Sequence, residues 1–353
     1  MTRFAVLTSG GDAPGMNAAV WALIKLGAAR GAHVVGVERG YDGLIDGDFR
    51  DLTRNLPAGL APAPGIAWLA GSGGTFLGST RCARFHRPEG RAVAAGRLRA
   101  AGIEGLVIIG GNGSLTGAHL LATESDIPVV GIPASIDNDV GGTTDAIGVD
   151  TALNTIIDAC DRISDTARSH RRAFILEVMG RRSGYLAMAA AAAATADAVL
   201  LPEQPGGQED ILVNLEALLR ESFAPERDKR RILIIKAEGV PSQTSELADE
   251  LQRRIADMPD VTVRATILGH IVRGGRPTYH DRMLAGRLAL GAAHALEKGR
   301  SDVMVGWNST IGEPTADSSV SLVALSDMLT ETEAMLDGSS DMVPPPCFAA
   351  TRA

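Results

Sequence analysis

The sequence predicts an α/β protein built on parallel sheets covered on both faces. Three observations lead there. Short apolar, β-branched runs recur along the 353 residues and are continuous rather than alternating, the pattern of strands buried on both faces. Helix-forming stretches separate many of them, which is the alternation expected of parallel sheets. Glycine-rich or charged segments ("TSGGDAPGMN", "GGNGS", "PASIDNDVGGT", "KAEG") directly follow strands. Such loops gather on the carboxyl edge of a parallel sheet, where ligands sit.

Taken in order, strands are expected at Phe4–Thr8, His33–Glu38, Leu106–Ile109, Pro128–Ile132, Phe174–Val178, Ala198–Leu201, Ile232–Ala237 and Val303–Val305. The alanine run Ala189–Ala194 predicts a tightly packed helix. The Pro-rich, polar end of the chain reads as a loose tail. Apolar residues make up 45%, enough for a sizeable core, and the formal net charge is −8. That balance argues against general nucleic-acid binding, so an anionic ligand must be caught by local basic clusters. Cys82, Cys160 and Cys347 show neither a disulfide framework nor zinc spacing, which predicts a reducing, cytoplasmic setting. The N-terminal apolar run is too short for a signal peptide and no run is long enough to span a membrane.

Ser9–Val20 is a Gly-rich turn entering a helix. Glycines let backbone N–H groups approach a phosphate, and a helix N-terminus adds a partial positive charge; a plain tight turn would use the same residues. "GGNGS" (110–114) repeats the pattern, with Ser114 placed to cap the next helix. "GGTFLGSTR" ends in Arg81, a cation able to clamp a transferring phosphoryl group or merely to pair on the surface. In "SIDNDVGGTTD" (135–145), Asp137 and Asp139 stand two apart. One carboxylate can meet an acceptor hydroxyl while the other reaches a metal, or both can close Asx turns. Six arginines fall within Asp161–Tyr185 and four within Arg264–Arg282, and guanidinium forks match phosphate oxygens.

In these motifs the chain resembles the 6-phosphofructokinases. "LTSGGDAPGMNAA", "GGTFLGSTR", "IGGNGS", "SIDND", "SHRR…EVMGR", "KAEG" and "RATILGHIVRGG" occur in that family's order and spacing, from about residue 4 to about residue 310. The resemblance implies two Rossmann-like doubly wound α/β domains with the active site in the cleft between them, usually in a homotetramer. A nucleotide-binding domain would comprise 1–140 plus about 256–305, a sugar-phosphate domain 141–255 plus about 306–335, and the tail 336–353. ATP with Mg²⁺ would be held by Gly10, Gly11, Tyr41, Arg81, Cys82, Gly111, Asn112, Gly113 and Ser114, with Gly117 under the base. Asp137 would be the catalytic base, with Arg81 and Arg181 stabilising charge, and Asp139 and Asn112 near the metal. Fructose 6-phosphate would meet Ser135, Ile136, Met179, Gly180, Arg181, Glu238, His270 and Arg273, with Arg172 and Arg264 reaching in from a neighbouring subunit.

The chain departs from the family pattern in places. Asn112 stands where an Asp helps hold Mg²⁺, which predicts a raised Mg²⁺ requirement and reduced activity, or at the extreme a silent sugar-phosphate binder. Gly113 and Ala134 replace the Asp and Lys of pyrophosphate-using relatives, leaving room for a nucleotide α-phosphate and favouring ATP over pyrophosphate. Trp21 replaces an arginine of members regulated by nucleoside diphosphate, which predicts weak regulation of that kind. No G-x-G-x-x-G opens a helix at the place a dinucleotide-binding dehydrogenase needs it.

Overall fold

The computed structural model describes residues 1–53, 67–204 and 206–337. In chain order the elements are β1 (Arg3–Ser9), α1 (Met16–Ala29), β2 (His33–Val37), α2 (Gly40–Asp46), β3 (Phe49–Asp51), α3 (Pro88–Ala100), β4 (Leu106–Gly110), α4 (Asn112–Glu124) and β5 (Val129–Pro133). There follow α5 (Val149–His170), β6 (Arg172–Val178), α6 (Tyr185–Ala193), β7 (Ala198–Leu200), α7 (Gln208–Ser222), β8 (Arg231–Ala237), α8 (Thr244–Arg254) and β9 (Thr262–Ile267). The chain closes with α9 (Tyr279–Glu297), β10 (Val303–Trp307), β11 (Glu313–Pro314), β12 (Val320–Ala324) and α10 (Leu325–Asp337).

The chain divides into two compact units, Met1–Thr151 with the chain from Arg273, and Ala152–Val272. In the first, an eight-stranded sheet runs β11-β12-β10-β5-β4-β1-β2-β3. Its central strands β2, β1, β4, β5 and β10 are parallel. The continuous apolar sequences of β4 (LVIIG) and β5 (VVGIP) are buried along their whole length, as strands covered on both faces must be. The succession of strands reverses between β1 and β4: β2 lies outside one and β5 outside the other. Loops leaving the two strands therefore diverge, and a crevice opens at their carboxyl ends.

The second unit holds a four-stranded parallel sheet, β7-β8-β6-β9. Its core sets Ile175, Ile232 and Ile234 of the strands against Leu215 and Leu219 of α7 and Leu247 and Leu251 of α8.

All eight expected strands form, each end within two residues of its predicted place, and the alanine run lies in α6 and the residue after it. Four strands were not expected. β3 and β11 are too short to leave an apolar run, and β9 (TVRATI) carries the exposed Arg264 on a sheet edge. β12 (VSLVA) interrupts its apolar residues with a serine. The expected domain boundaries are corrected by the strand pairing. Residues 262–267 pair with β6 and so belong to the second sheet, while β11 and β12 join the first sheet through β10. Of the tail expected over 336–353, residues 336 and 337 end α10 and the remainder lies outside the described residues.

Candidate active site

A cavity of about 530 Å³ opens at the carboxyl ends of β1 and β4. Ser9, Gly10 and Gly11 enter it from β1, and Gly111 to Ser114 from the start of α4. No side chain caps the N-terminus of α4, so its first turn presents backbone to the cavity, the arrangement that receives anions. In the loop after β1, Gly10 holds a left-handed φ of 84° that disfavours any side chain. A Cβ on Gly10 would lie 3.1 Å from Ser114 Oγ, and one on Gly11 would lie 2.7 Å from Arg273 Nη1. Arg273 also donates to the Asp12 carbonyl at 3.3 Å, which holds its guanidinium over the glycine loop and on the cavity wall.

Tyr41 gives the cavity a flat apolar wall: its ring stacks on Phe85 with centroids 3.8 Å apart, and its hydroxyl donates to the Ser114 carbonyl at 2.5 Å. Burial pushes the phenol well above its ordinary range. Cys82, also on the wall, donates to Asp42 at 3.0 Å, and burial raises its thiol too. Arg81 is exposed at the cavity rim.

The carboxylate loop alternates. Ser135, Asp137 and Asp139 are half-buried and line the cavity, while Ile136, Asn138 and Val140 between them are buried. The segment is bent rather than extended, with a turn at Ile136 and Asp137 and a left-handed φ of 46° at Asn138, and both carboxylates line the same cavity. Ser135 Oγ donates to Asp139 at 3.2 Å and accepts from the Asp137 N–H at 3.3 Å. The Asn138 side chain accepts from the Ala146 N–H and donates to the Thr144 carbonyl, pinning the loop from behind. Ile136 buries its side chain, so only its backbone is available to a ligand.

In the second unit, the loops after β6 and β8 meet. The Glu238 N–H donates to the Val178 carbonyl and that of Gly239 to the Gly180 carbonyl, and a Cβ on Gly239 would strike the Arg181 carbonyl at 2.1 Å. Met179, Gly180, Arg181 and Glu238 are thus together at one sheet edge. His270 is exposed on a short 3-10 turn, Gly269–Arg273, after β9. Arg172 and Arg264 lie toward the other end of the sheet, Arg172 opening β6 and Arg264 paired with Phe174. Arg172 is six residues before Val178, about 20 Å along a strand.

Sequence reasoning missed Thr80, Phe85, His86, Thr116 and Leu120 on the cavity wall. Phe85 and His86 fall just after the recognised glycine motif, and Thr116 and Leu120 follow Asn112 at helical spacing. Among the described residues no group of three or more His, Cys, Asp or Glu side chains could hold a metal by itself. A single carboxylate, Asp139, suits a magnesium ion that takes its other ligands from phosphates and water.

The Phosphofructokinase family profile matches residues 3–296. The chain is 50% identical over 305 residues to the ATP-dependent 6-phosphofructokinase of Thermotoga neapolitana, covering 86% of this chain and 89% of that one. It is 44% identical over 307 residues to ATP-dependent 6-phosphofructokinase 1 of Thermus thermophilus, covering 87% and 89%. Among solved structures, Pichia pastoris phosphofructokinase in the T-state superposes with a TM-score of 0.82 at 30% identity, over 98% of this chain but only 38% of that longer one. A pyrophosphate-dependent phosphofructokinase from Marinobacter aquaeolei, 20% identical, shares the fold with a TM-score of 0.75 over 93% of this chain and 84% of its own. The chain belongs to the phosphofructokinase family.

Proposed function

We propose that this chain transfers the γ-phosphoryl group of ATP to the 1-hydroxyl of fructose 6-phosphate, giving fructose 1,6-bisphosphate and ADP in glycolysis. One observation carries the reading: Asp137 shares a cavity wall with the uncapped N-terminus of α4 and with Arg81. Phosphoryl transfer asks the protein mainly for position and charge. Asp137 takes the proton of the 1-hydroxyl as its oxygen bonds to the γ-phosphorus, and the bond to the β–γ bridging oxygen breaks, leaving ADP. Backbone N–H groups of Gly11, Gly111, Asn112 and Gly113 hold the polyphosphate, with Ser114 beside them. Arg81 and Arg181 offset the charge that spreads over the transferring oxygens. When bound with the nucleotide, Mg²⁺ lowers that charge further, and Asp139, with Asn112 beside it, is placed to hold it.

Small residues at Gly113 and Ala134 support ATP rather than pyrophosphate. A Cβ on Gly113 would meet nothing within 4 Å, so the space beside it is open to an α-phosphate. The unit built on the eight-stranded sheet binds the nucleotide. Met179, Gly180, Arg181, Glu238, His270 and Arg273 grip the sugar phosphate. Arg172 and Arg264, toward the far end of their sheet from Arg181, serve a neighbouring subunit's site in a homotetramer in the cytoplasm. Trp21 of α1 removes a guanidinium, so activation by nucleoside diphosphate is weak.

The deciding assay follows product from fructose 6-phosphate with ATP or pyrophosphate at varied Mg²⁺. Turnover with ATP is expected, and Asp137→Ser should abolish it while leaving ligand affinity in place. Turnover with pyrophosphate alone, or an active Asp137→Ser, would overturn the assignment.

A further inference from the structure

Asn112 does more than occupy a metal-ligand position. Its Nδ2 donates to the backbone carbonyl of Asp139 at 3.0 Å, so the first residue of α4 is tied to the carboxylate loop. Its Oδ1 accepts from Thr332 Oγ1 of α10 at 3.4 Å. The same buried hydroxyl accepts from the Gly141 N–H at 2.8 Å. One hydroxyl thus serves as donor and acceptor at once, within its capacity, with Met328 Sδ as a weaker alternative acceptor at 3.5 Å. The packing is equally close. A Cβ on Gly141 would lie 2.5 Å from the Met328 carbonyl and 2.5 Å from the Thr332 nitrogen. The loop therefore rests with bare backbone against one turn of α10.

We infer that Thr332 and Asn112 are positioning residues: through them α10 sets the segment Asp139–Gly141, and with it Ser135, Asp137 and Asp139, against the polyphosphate loop. The inference deepens the proposed activity and rests on it for the catalytic consequence. The chain of contacts is continuous: Thr332 to Asn112 and Gly141, Asn112 to the Asp139 backbone, the Asp139 carboxylate to Ser135, and Ser135 to the Asp137 N–H. Each bond joins groups that are buried or partly so, where a lost partner leaves a polar group exposed to little water. The link also explains the amide. An aspartate at 112 would have no N–H to offer and would set a carboxylate against the Asp139 carbonyl oxygen.

Thr332→Val keeps the shape and removes the hydroxyl; Thr332→Ser keeps the hydroxyl. Hydrogen–deuterium exchange of the ligand-free protein reads the loop without any need for activity. In Thr332→Val the peptide spanning 134–148 should exchange at least five-fold faster, with the strands unchanged, and Thr332→Ser should stay within two-fold of the parent. In turnover assays kcat should fall about ten-fold in Thr332→Val with KM for ATP within two-fold, and Thr332→Ser should restore it. Asn112→Asp severs the Asp139 bond from the other side and decides the question if Thr332→Val does not fold. It should loosen the same peptide at least five-fold in the ligand-free protein, a readout independent of any metal the new carboxylate attracts. Unchanged loop exchange in Thr332→Val or in Asn112→Asp, an equal loss in Thr332→Ser, or a loosened loop with unchanged kcat in Thr332→Val would each overturn the inference. A parent protein without any turnover would instead count against the proposed activity, and the exchange data would still judge the link.

Discussion

Lys236, wholly buried, donates from Nζ to Glu177 Oε2 at 3.0 Å across directly paired positions of β8 and β6. Thr244, at the start of α8, donates to the same carboxylate oxygen. The pair locks together the two strands whose following loops carry Met179–Arg181 and Glu238. Removing one partner of a buried pair strands the other charge, which typically costs 3–5 kcal/mol, whereas replacing both by apolar residues is often neutral. Lys236→Met should therefore destabilise the protein by about 3 kcal/mol in urea unfolding and raise KM for the sugar phosphate. Lys236→Met with Glu177→Leu should recover most of the stability. A single variant as stable as the parent would show the pair to be dispensable.

Gly117 lies directly beneath Tyr41: an added Cβ would come within 2.9 Å of the phenol oxygen and 3.0 Å of the ring. Tyr41 has no slack, because its ring is stacked on Phe85 and its hydroxyl is bonded to the Ser114 carbonyl. Gly117→Ala must push the ring off one of them. A helix interior otherwise favours alanine by up to about 1 kcal/mol, so global stability should change little. The expected result is a KM for ATP raised about ten-fold with kcat nearly intact. Unaltered ATP affinity would mean that the Tyr41 wall is not where the base lies.

Much of this was legible in the residues, and the misses have physical causes. Continuous apolar runs such as LVIIG and VVGIP announce central strands because both their faces are buried. β9 did not, because an edge strand tolerates an exposed arginine. The carboxylate loop was legible as a pair of acids two apart. What sequence spacing could not show was that Asn138 turns inward to pin the loop while its neighbours face the cavity. The role of Thr332 was invisible for another reason. It lies 220 residues from Asn112, and a threonine in an amphipathic helix carries no signal of a distant partner. The domain boundary was misplaced likewise, since β9 still pairs with β6 of the second sheet and the chain, having returned through β10, stays in the first sheet for β11 and β12.

Arg91 is buried on α3 and pairs through two nitrogens with Glu124 of α4, at 2.6 and 2.7 Å. The guanidinium bonds hold the Glu124 carboxyl below its ordinary 4.5. A carboxyl lowered in the folded state contributes stability that is present above its unfolded pKa and lost as pH falls through the folded value. Glu124→Gln should therefore destabilise the protein at pH 7, by up to about 1 kcal/mol because the carboxylate is partly exposed and screened. The gap between variant and parent should close below pH 4.5. A gap that stayed constant from pH 7 to pH 3 would show that the ion pair is not its source.

Gly113 offers a test of donor choice that does not threaten the fold. It occupies the first turn of α4, and a Cβ there meets no protein atom within 4 Å. Gly113→Asp should fold normally and place a carboxylate beside the cavity, near the space assigned to the nucleotide α-phosphate. Two like charges at about 4 Å repel by about 4 kcal/mol in a surface-like dielectric before salt screening, so even a fraction of that repulsion weakens ATP binding at least ten-fold. Pyrophosphate has no α-phosphate equivalent and escapes the clash. The ratio of kcat/KM for ATP to that for pyrophosphate should thus fall by ten-fold or more in the variant, while its unfolding midpoint stays with the parent's. An unchanged ratio in a folded Gly113→Asp protein would place the α-phosphate elsewhere and remove the structural argument for ATP.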